Sequence, residues 1–169
     1  MSRRRTVTEI RNLGSCRVNY GARDMGHTQG GVGVKITVEK REVLVDEFGN
    51  VPVDVVDVGT NIQATVPLVQ ASFDNYEDAF PTLAAILSAD QLSSGRRVGE
   101  SLPTKRLVLD PLRAADTDGI VIYKAYVDDV AELGYNNNGE RVIAITFRGQ
   151  LDENRTSGDK VFRIFGGMS

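Results

Sequence analysis

The chain reads as a mainly β protein with one flanking helix and one long projecting hairpin, and three observations carry that reading. From Val32 to Val38 apolar residues recur at every second position, the period of a strand with one covered face. Valine is abundant, tryptophan is absent and 17 glycines punctuate 169 residues, a composition of β-branched strands broken by turns. Only one stretch, about residues 74–88, spaces its apolar residues as a helix does. Apolar residues make up 41% and charged residues 25%, which excludes disorder of the whole chain and suits one domain with one core.

Charge and reactive residues narrow the function classes. A net charge of −3 leaves no global basic footprint for nucleic acid. Cys16 is the single cysteine and His27 the single histidine, so neither an internal disulfide nor a Cys/His metal cluster is expected. The opening residues are basic without a following apolar segment, which is no secretory signal, and no apolar run has the length of a membrane helix. No cofactor or metal is expected.

Taken in order, residues 1–13 hold Arg3, Arg4, Arg5 and Arg11 with few apolar anchors and read as an N-terminal arm, ahead of a single domain over 14–169. Cys16, Val18 and Tyr20 alternate in a first strand near residues 14–20, with Cys16 a small core residue. The glycine-rich turn from Gly21 to Gly31 lacks the Gly-Lys-Ser/Thr ending and the helix of a phosphate loop, and His27 reads as a turn-lining imidazole. Val32, Val34, Ile36 and Val38 then give the buried face of a long strand. Its return arm carries Val51, Val53 and Val55, followed by Ile62, Ala64 and Val66.

Between the arms, about residues 40–52, lies the candidate functional element. Glu42, Val43, Leu44, Val45, Asp46, Glu47, Phe48, Gly49 and Asn50 combine charges with apolar side chains that a loop needing only water would not carry. Gly49 and Asn50 suit the positive φ of a hairpin tip. Asp54 and Asp57 line the return arm on the face away from the core and, three residues apart on a strand, cannot act as an acid and base pair.

The helix places Glu77 and Asp78 in its early turns and Phe80, Leu83, Ala84, Ile86 and Leu87 on one stripe; either it begins at Pro81 or its axis bends there. Arg96, Arg97, Lys105 and Arg106 form a basic patch open to two readings, a solvated loop or a partner for the acidic hairpin of a neighbour. In the last third, a strand from Ile120, the Asn138-Gly139 turn, a central strand around Val142 to Arg148 and a final strand from Val161 to Phe165 complete the chain. Asp116, Asp118, Asp128 and Asp129 do not have the spacing of an EF-hand loop.

The order of these features resembles a known family. Asp24-Met25-Gly26-His27-Thr28-Gln29-Gly30-Gly31-Val32 leads into a strand and a valine-rich hairpin with Val45-Asp46-Glu47 at its tip; Val58-Gly59-Thr60, Val66-Pro67-Leu68, the helical region and Asn137-Asn138-Gly139 follow. This is similar to the tail tube (major tail) proteins of long-tailed bacteriophages. The resemblance implies an antiparallel β-sandwich or half-barrel with one flanking helix. It also implies a structural, non-enzymatic virion protein whose hexameric rings stack into a hollow tail tube for DNA passage. Implied partners are further copies of the chain, the tape measure and tail terminator proteins and DNA in transit, without a membrane, in tails assembled in the host cytoplasm. Residues 40–52 would match the ring-stacking loop and the termini the arms between subunits. Two alternatives stand beside it: another ring-forming tail component (a baseplate, neck or tail-completion protein), and a monomeric ligand-binding β-barrel.

Overall fold

A computed structural model of the protein describes residues 16–69, 73–80, 83–85, 92–94, 99, 101–112, 119–130, 142–156 and 158–165. The N-terminal arm, Arg96 and Arg97, Asp116 and Asp118, and the Asn138-Gly139 turn lie outside the described residues. The protein is mainly β, with strands β1 (Cys16–Tyr20), β2 (Arg23–Asp24), β3 (Gly33–Leu44) and β4 (Pro52–Leu68) in its first half. A helix α1 (Phe73–Ala79) and a small hairpin of β5 (Leu83–Ala85) and β6 (Leu92–Ser94) follow. The second half adds β7 (Lys105–Pro111), β8 (Gly119–Val130), β9 (Ile143–Gln150) and β10 (Phe162–Phe165).

Eight strands join in one antiparallel sheet of order β2-β1-β7-β8-β9-β4-β3, with β10 paired to β8. Strand β9 lies between β8 and β4, the central place its apolar composition predicts. One face of the sheet is covered. Val18 and Tyr20 of β1, Leu107 and Leu109 of β7, Ile143, Ile145 and Phe147 of β9, and Ile62, Ala64, Val66 and Leu68 of β4 are buried at period two.

The sheet is curled. Strands β1 and β9 stand three places apart, about 14 Å in a flat sheet, yet the rings of Tyr20 and Phe147 have centroids 4.8 Å apart. The glycine-rich segment after β2 spans the same gap. Met25 N–H donates to Val18 of β1 (2.9 Å), while Val69 N–H donates to His27 (3.0 Å) and Gln29 N–H to Pro67 (3.0 Å) at the end of β4. Within four residues the chain thus crosses from one end of the sheet to the other.

Helix α1 differs from the predicted helix over 74–88. It ends before Pro81, which has no N–H to donate and disfavours a helical residue ahead of it, and residues 83–85 turn to strand. Asp78 consequently sits in the last turn rather than an early one, where the helix dipole disfavours an anion. Two cations offset this: the Asp78 side chain, 3% exposed, accepts from Arg23 Nη1 (3.0 Å) and Lys105 Nζ (2.5 Å). Asn75, also buried, donates from Nδ2 to the Met25 carbonyl (3.1 Å), so the helix is fastened to both β2 and β7 and to the crossing segment.

Strands β9 and β10 lie along the same edge of β8, because β7 pairs the same residues Ile120 to Ile122 as β10 and so holds the other edge. Gln150 faces Lys124 and Phe162 faces Ile122, so the pair is one strand interrupted by an excursion over residues 151–161. Asp152 N–H to Lys160 (2.9 Å) and Tyr123 N–H to Val161 (3.1 Å) close its base. The Tyr123 hydroxyl donates to Asp159 (2.6 Å), and Arg155 stacks 3.6 Å from the Tyr123 ring centroid.

Tyr20 carries a pH dependence. Its hydroxyl donates to the Ala125 carbonyl (3.2 Å), and burial, reinforced by the Asp78 carboxylate, pushes the phenol from 10.0 up to about 12. The fold therefore favours the neutral phenol, a contribution present in full below the unfolded value and lost as pH rises through the folded one. Urea melts below pH 10 and near pH 12 are expected to reveal an alkaline loss of stability that is smaller in Tyr20→Phe; equal losses in both proteins would contradict this.

Candidate functional site

The candidate element is the two-stranded ribbon of β3 and β4. Its arms pair from Gly33↔Thr65 to Leu44↔Pro52, and a 3-10 turn (Asp46–Phe48) with Gly49 at φ 65° closes the tip. The predicted residues Glu42, Val43, Leu44, Val45, Asp46, Glu47, Phe48, Gly49 and Asn50 all fall at this closed end.

Only the base of the ribbon belongs to the core. Strand β4 pairs with β9 from Gln63 to Leu68, and beyond Ile62 toward the tip its second edge has no partner among the described residues. The outer edge of β3 has none either. Ile36 and Ile62 face each other across the ribbon, yet Ile62 is wholly buried and Ile36 is 41% exposed. The difference follows from their neighbours. Ile62 is flanked by β9, where Gly149 leaves room for it: a Cβ on Gly149 would come within 2.6 Å of Ile62 Cγ2. Ile36 stands on an edge strand with no further strand beyond it among the described residues.

The expectation of one covered face from Val32 to Val38 is therefore corrected. Val32 and Val34 pack against the core, whereas Ile36 and Val38 do not. Ten of the fifteen large apolar side chains that are exposed among the described residues lie on this ribbon, Val51, Val53 and Val58 at 65%, 55% and 61%. Scattered exposed valines are ordinary, but a contiguous apolar strip is not.

Two bulges shape the strip. The register shifts between Glu39 and Lys40 and between Val43 and Leu44, leaving Val58 and Val53 as extra residues on β4. Each shift reverses which face a following side chain takes, so valines emerge on both faces. Asp57 accepts from the Gly59 N–H (3.0 Å) and Asp54 from the Val55 N–H (2.8 Å), so these carboxylates hold ribbon backbone. At the base, the polar face is tied by Asn61 Nδ2 donating to Glu39 (2.6 Å).

The other candidates are placed as follows. Cys16 and His27 line one cleft of about 300 Å³ with Arg17, Asp24, Gly26, Thr28 and Leu112. Burial pushes the Cys16 thiol up, away from a reactive thiolate, and Arg17 and Asp24 pair with each other at 3.2 Å. Among the described residues no three His, Cys, Asp or Glu side chains converge as metal ligands. Lys105, part of the basic patch open from sequence to a solvated-loop reading or a neighbour's hairpin, is held by Asp78 of its own chain. Asp78 itself was legible only as a helix-terminal acid.

No family model and no curated protein matches the chain.

The exposed valines should contribute little to the stability of a single copy. At dilution, Val53→Lys/Val55→Lys is expected to change the unfolding free energy by less than about 1 kcal/mol, against about 2–4 kcal/mol for Ile62→Ala. Urea denaturation measures both, and comparable losses would show that these valines are part of the core of the single copy.

Proposed function

We propose that this chain is a structural subunit that assembles with copies of itself, and that it serves as the tail tube protein of a long-tailed bacteriophage. The observation that carries self-assembly is the ribbon: ten exposed apolar side chains on a ladder whose two outer edges have no partner among the described residues. At about 3.3 Å per residue, the stretch from Ile36 to the tip would extend about 30 Å from the covered base. Pairing it with another copy would remove both the open edges and the apolar exposure.

The phage reading rests on the order of motifs and on the compatible architecture. A curled sheet with one short helix on its covered face suits a half-barrel that closes only when several copies stand side by side. Contacts between unlike surfaces of identical copies close into rings or extend as filaments, and a stacked-ring tube uses both outcomes. On the other face of the sheet two cations are paired, Arg148 3.8 Å from Asp128 and Lys124 3.3 Å from Asp152. Paired cations are poorly placed to neutralise phosphates, which fits a conduit that must let DNA pass.

Deleting residues 42–50 tests this reading. The shortened chain is expected to keep its circular dichroism spectrum and to form no polymer by negative-stain microscopy, while the intact protein gives hollow filaments. Isolated rings from the intact protein would favour a baseplate or neck component, and compact monomers at high concentration would contradict self-assembly.

A further inference from the structure

The ribbon and one other part of the chain carry opposite charge. From Glu42 to Val58 the ribbon has five acids, Glu42, Asp46, Glu47, Asp54 and Asp57, and no lysine or arginine. All five are exposed. A partner for such a surface needs free cations, an apolar companion and an open strand edge.

Six of the twelve described lysines and arginines are already engaged. Arg17, Arg23, Lys105, Lys124, Arg148 and Arg155 each pair with a carboxylate of their own copy. Lys35, Lys40 and Arg41 lie on the ribbon itself, and Arg106 sits on β7, which is flanked on both sides by β1 and β8. Two remain. Lys160 and Arg163 are exposed and form no ion pair among the described residues; Lys160 precedes β10 and Arg163 lies within it, and the edge of β10 away from β8 is unpaired there. Ile164 beside them is 49% exposed, and the nearest acid, Asp159, is taken by Tyr123 and Arg155.

We propose that the acidic end of the ribbon of one copy docks on the open edge of β10 of a second copy, with Lys160 and Arg163 facing the ribbon carboxylates and Ile164 facing its valines. This rests on the self-assembly reading and gives it a direction. Donor and acceptor are different surfaces of the same chain, so the contact runs head to tail and each copy retains one free end of each kind. Complementary charge sets the register and hastens encounter, while the valines supply the buried area. Asp54 and Asp57, fixed by the Val55 and Gly59 amides, are positioned beforehand; Glu42, Asp46 and Glu47 can be changed without disturbing those bonds.

Two charge-reversed proteins test the docking. Lys160→Glu/Arg163→Glu has an acidic ribbon and an acidic acceptor; Glu42→Lys/Asp46→Lys/Glu47→Lys has a basic acceptor and a ribbon whose charge from Glu42 to Val58 rises from −5 (five acids) to +1 (three lysines, two acids). Each alone is expected to assemble at least about tenfold more weakly than the unaltered chain by sedimentation velocity. Mixed in equal amounts, they should assemble, because each ribbon then meets an opposite acceptor. Unchanged assembly of the separate variants, or a mixture no better than its parts, overturns the docking and leaves self-assembly standing. An unaltered chain that stays monomeric overturns both. Circular dichroism of each variant guards against misfolding, and a misfolded variant is replaced by Arg163→Glu or Glu47→Lys singly, each expected to assemble more weakly than the unaltered chain, with unchanged assembly overturning the docking.

Discussion

The chain has more β-ladder than core. Strand β4 is one continuous strand from Pro52 to Leu68, but its apolar residues have cover only as far out as Ile62, where β9 turns away and Gly149 lets the packing close. A ladder can continue past its core because each paired residue satisfies backbone groups on one side. It does so at the expense of exposing valines and an unpaired edge, a combination that natural sheets avoid unless something else covers it. The ribbon is therefore where the requirements of a single copy stop explaining the sequence.

Everything inside that limit is fixed firmly. The curl that brings Tyr20 to Phe147 also lets Met25, His27 and Gln29 join β1 to β4, so the covered face encloses one cluster. Helix α1 closes the cluster through Asn75 and through Asp78, whose burial is tolerated because Arg23 and Lys105 meet it from two strands. Both cations are partly exposed, so the pair is a positioning device more than a store of stability. The base of the ribbon inherits this rigidity and gives the distal part a defined direction.

Much of the β architecture was legible from period-two patterns: β1, the inner half of β4, and β9 as a central strand. The hairpin tip was legible from Gly49 and Asn50 between two valine-rich arms. What sequence missed has physical causes. Alternation cannot tell a face covered by its own chain from one awaiting a neighbour, so Ile36 and Val38 looked like core. The bulges at Val53 and Val58 leave only a break in period at Val55-Val56. Strand β2 is two residues long and has no period to read, and its role depends on a crossing that brings distant strands together. The helix was overextended because its apolar stripe crosses Pro81, where backbone chemistry outweighs side-chain spacing. The partnership of Arg23, Asp78 and Lys105 joins residues far apart in sequence and left no local signal.

We propose that another copy completes the outer ribbon. Hydrogen–deuterium exchange read on peptides covering residues 52–58 measures it directly, first in dilute and then in concentrated protein. The claim predicts fast exchange of the unpaired amides at dilution and strong protection on concentration, with the amides of Ile62 to Leu68 protected in both. Protection of the ribbon that does not change with concentration would contradict it, because the single copy would then already cover that edge.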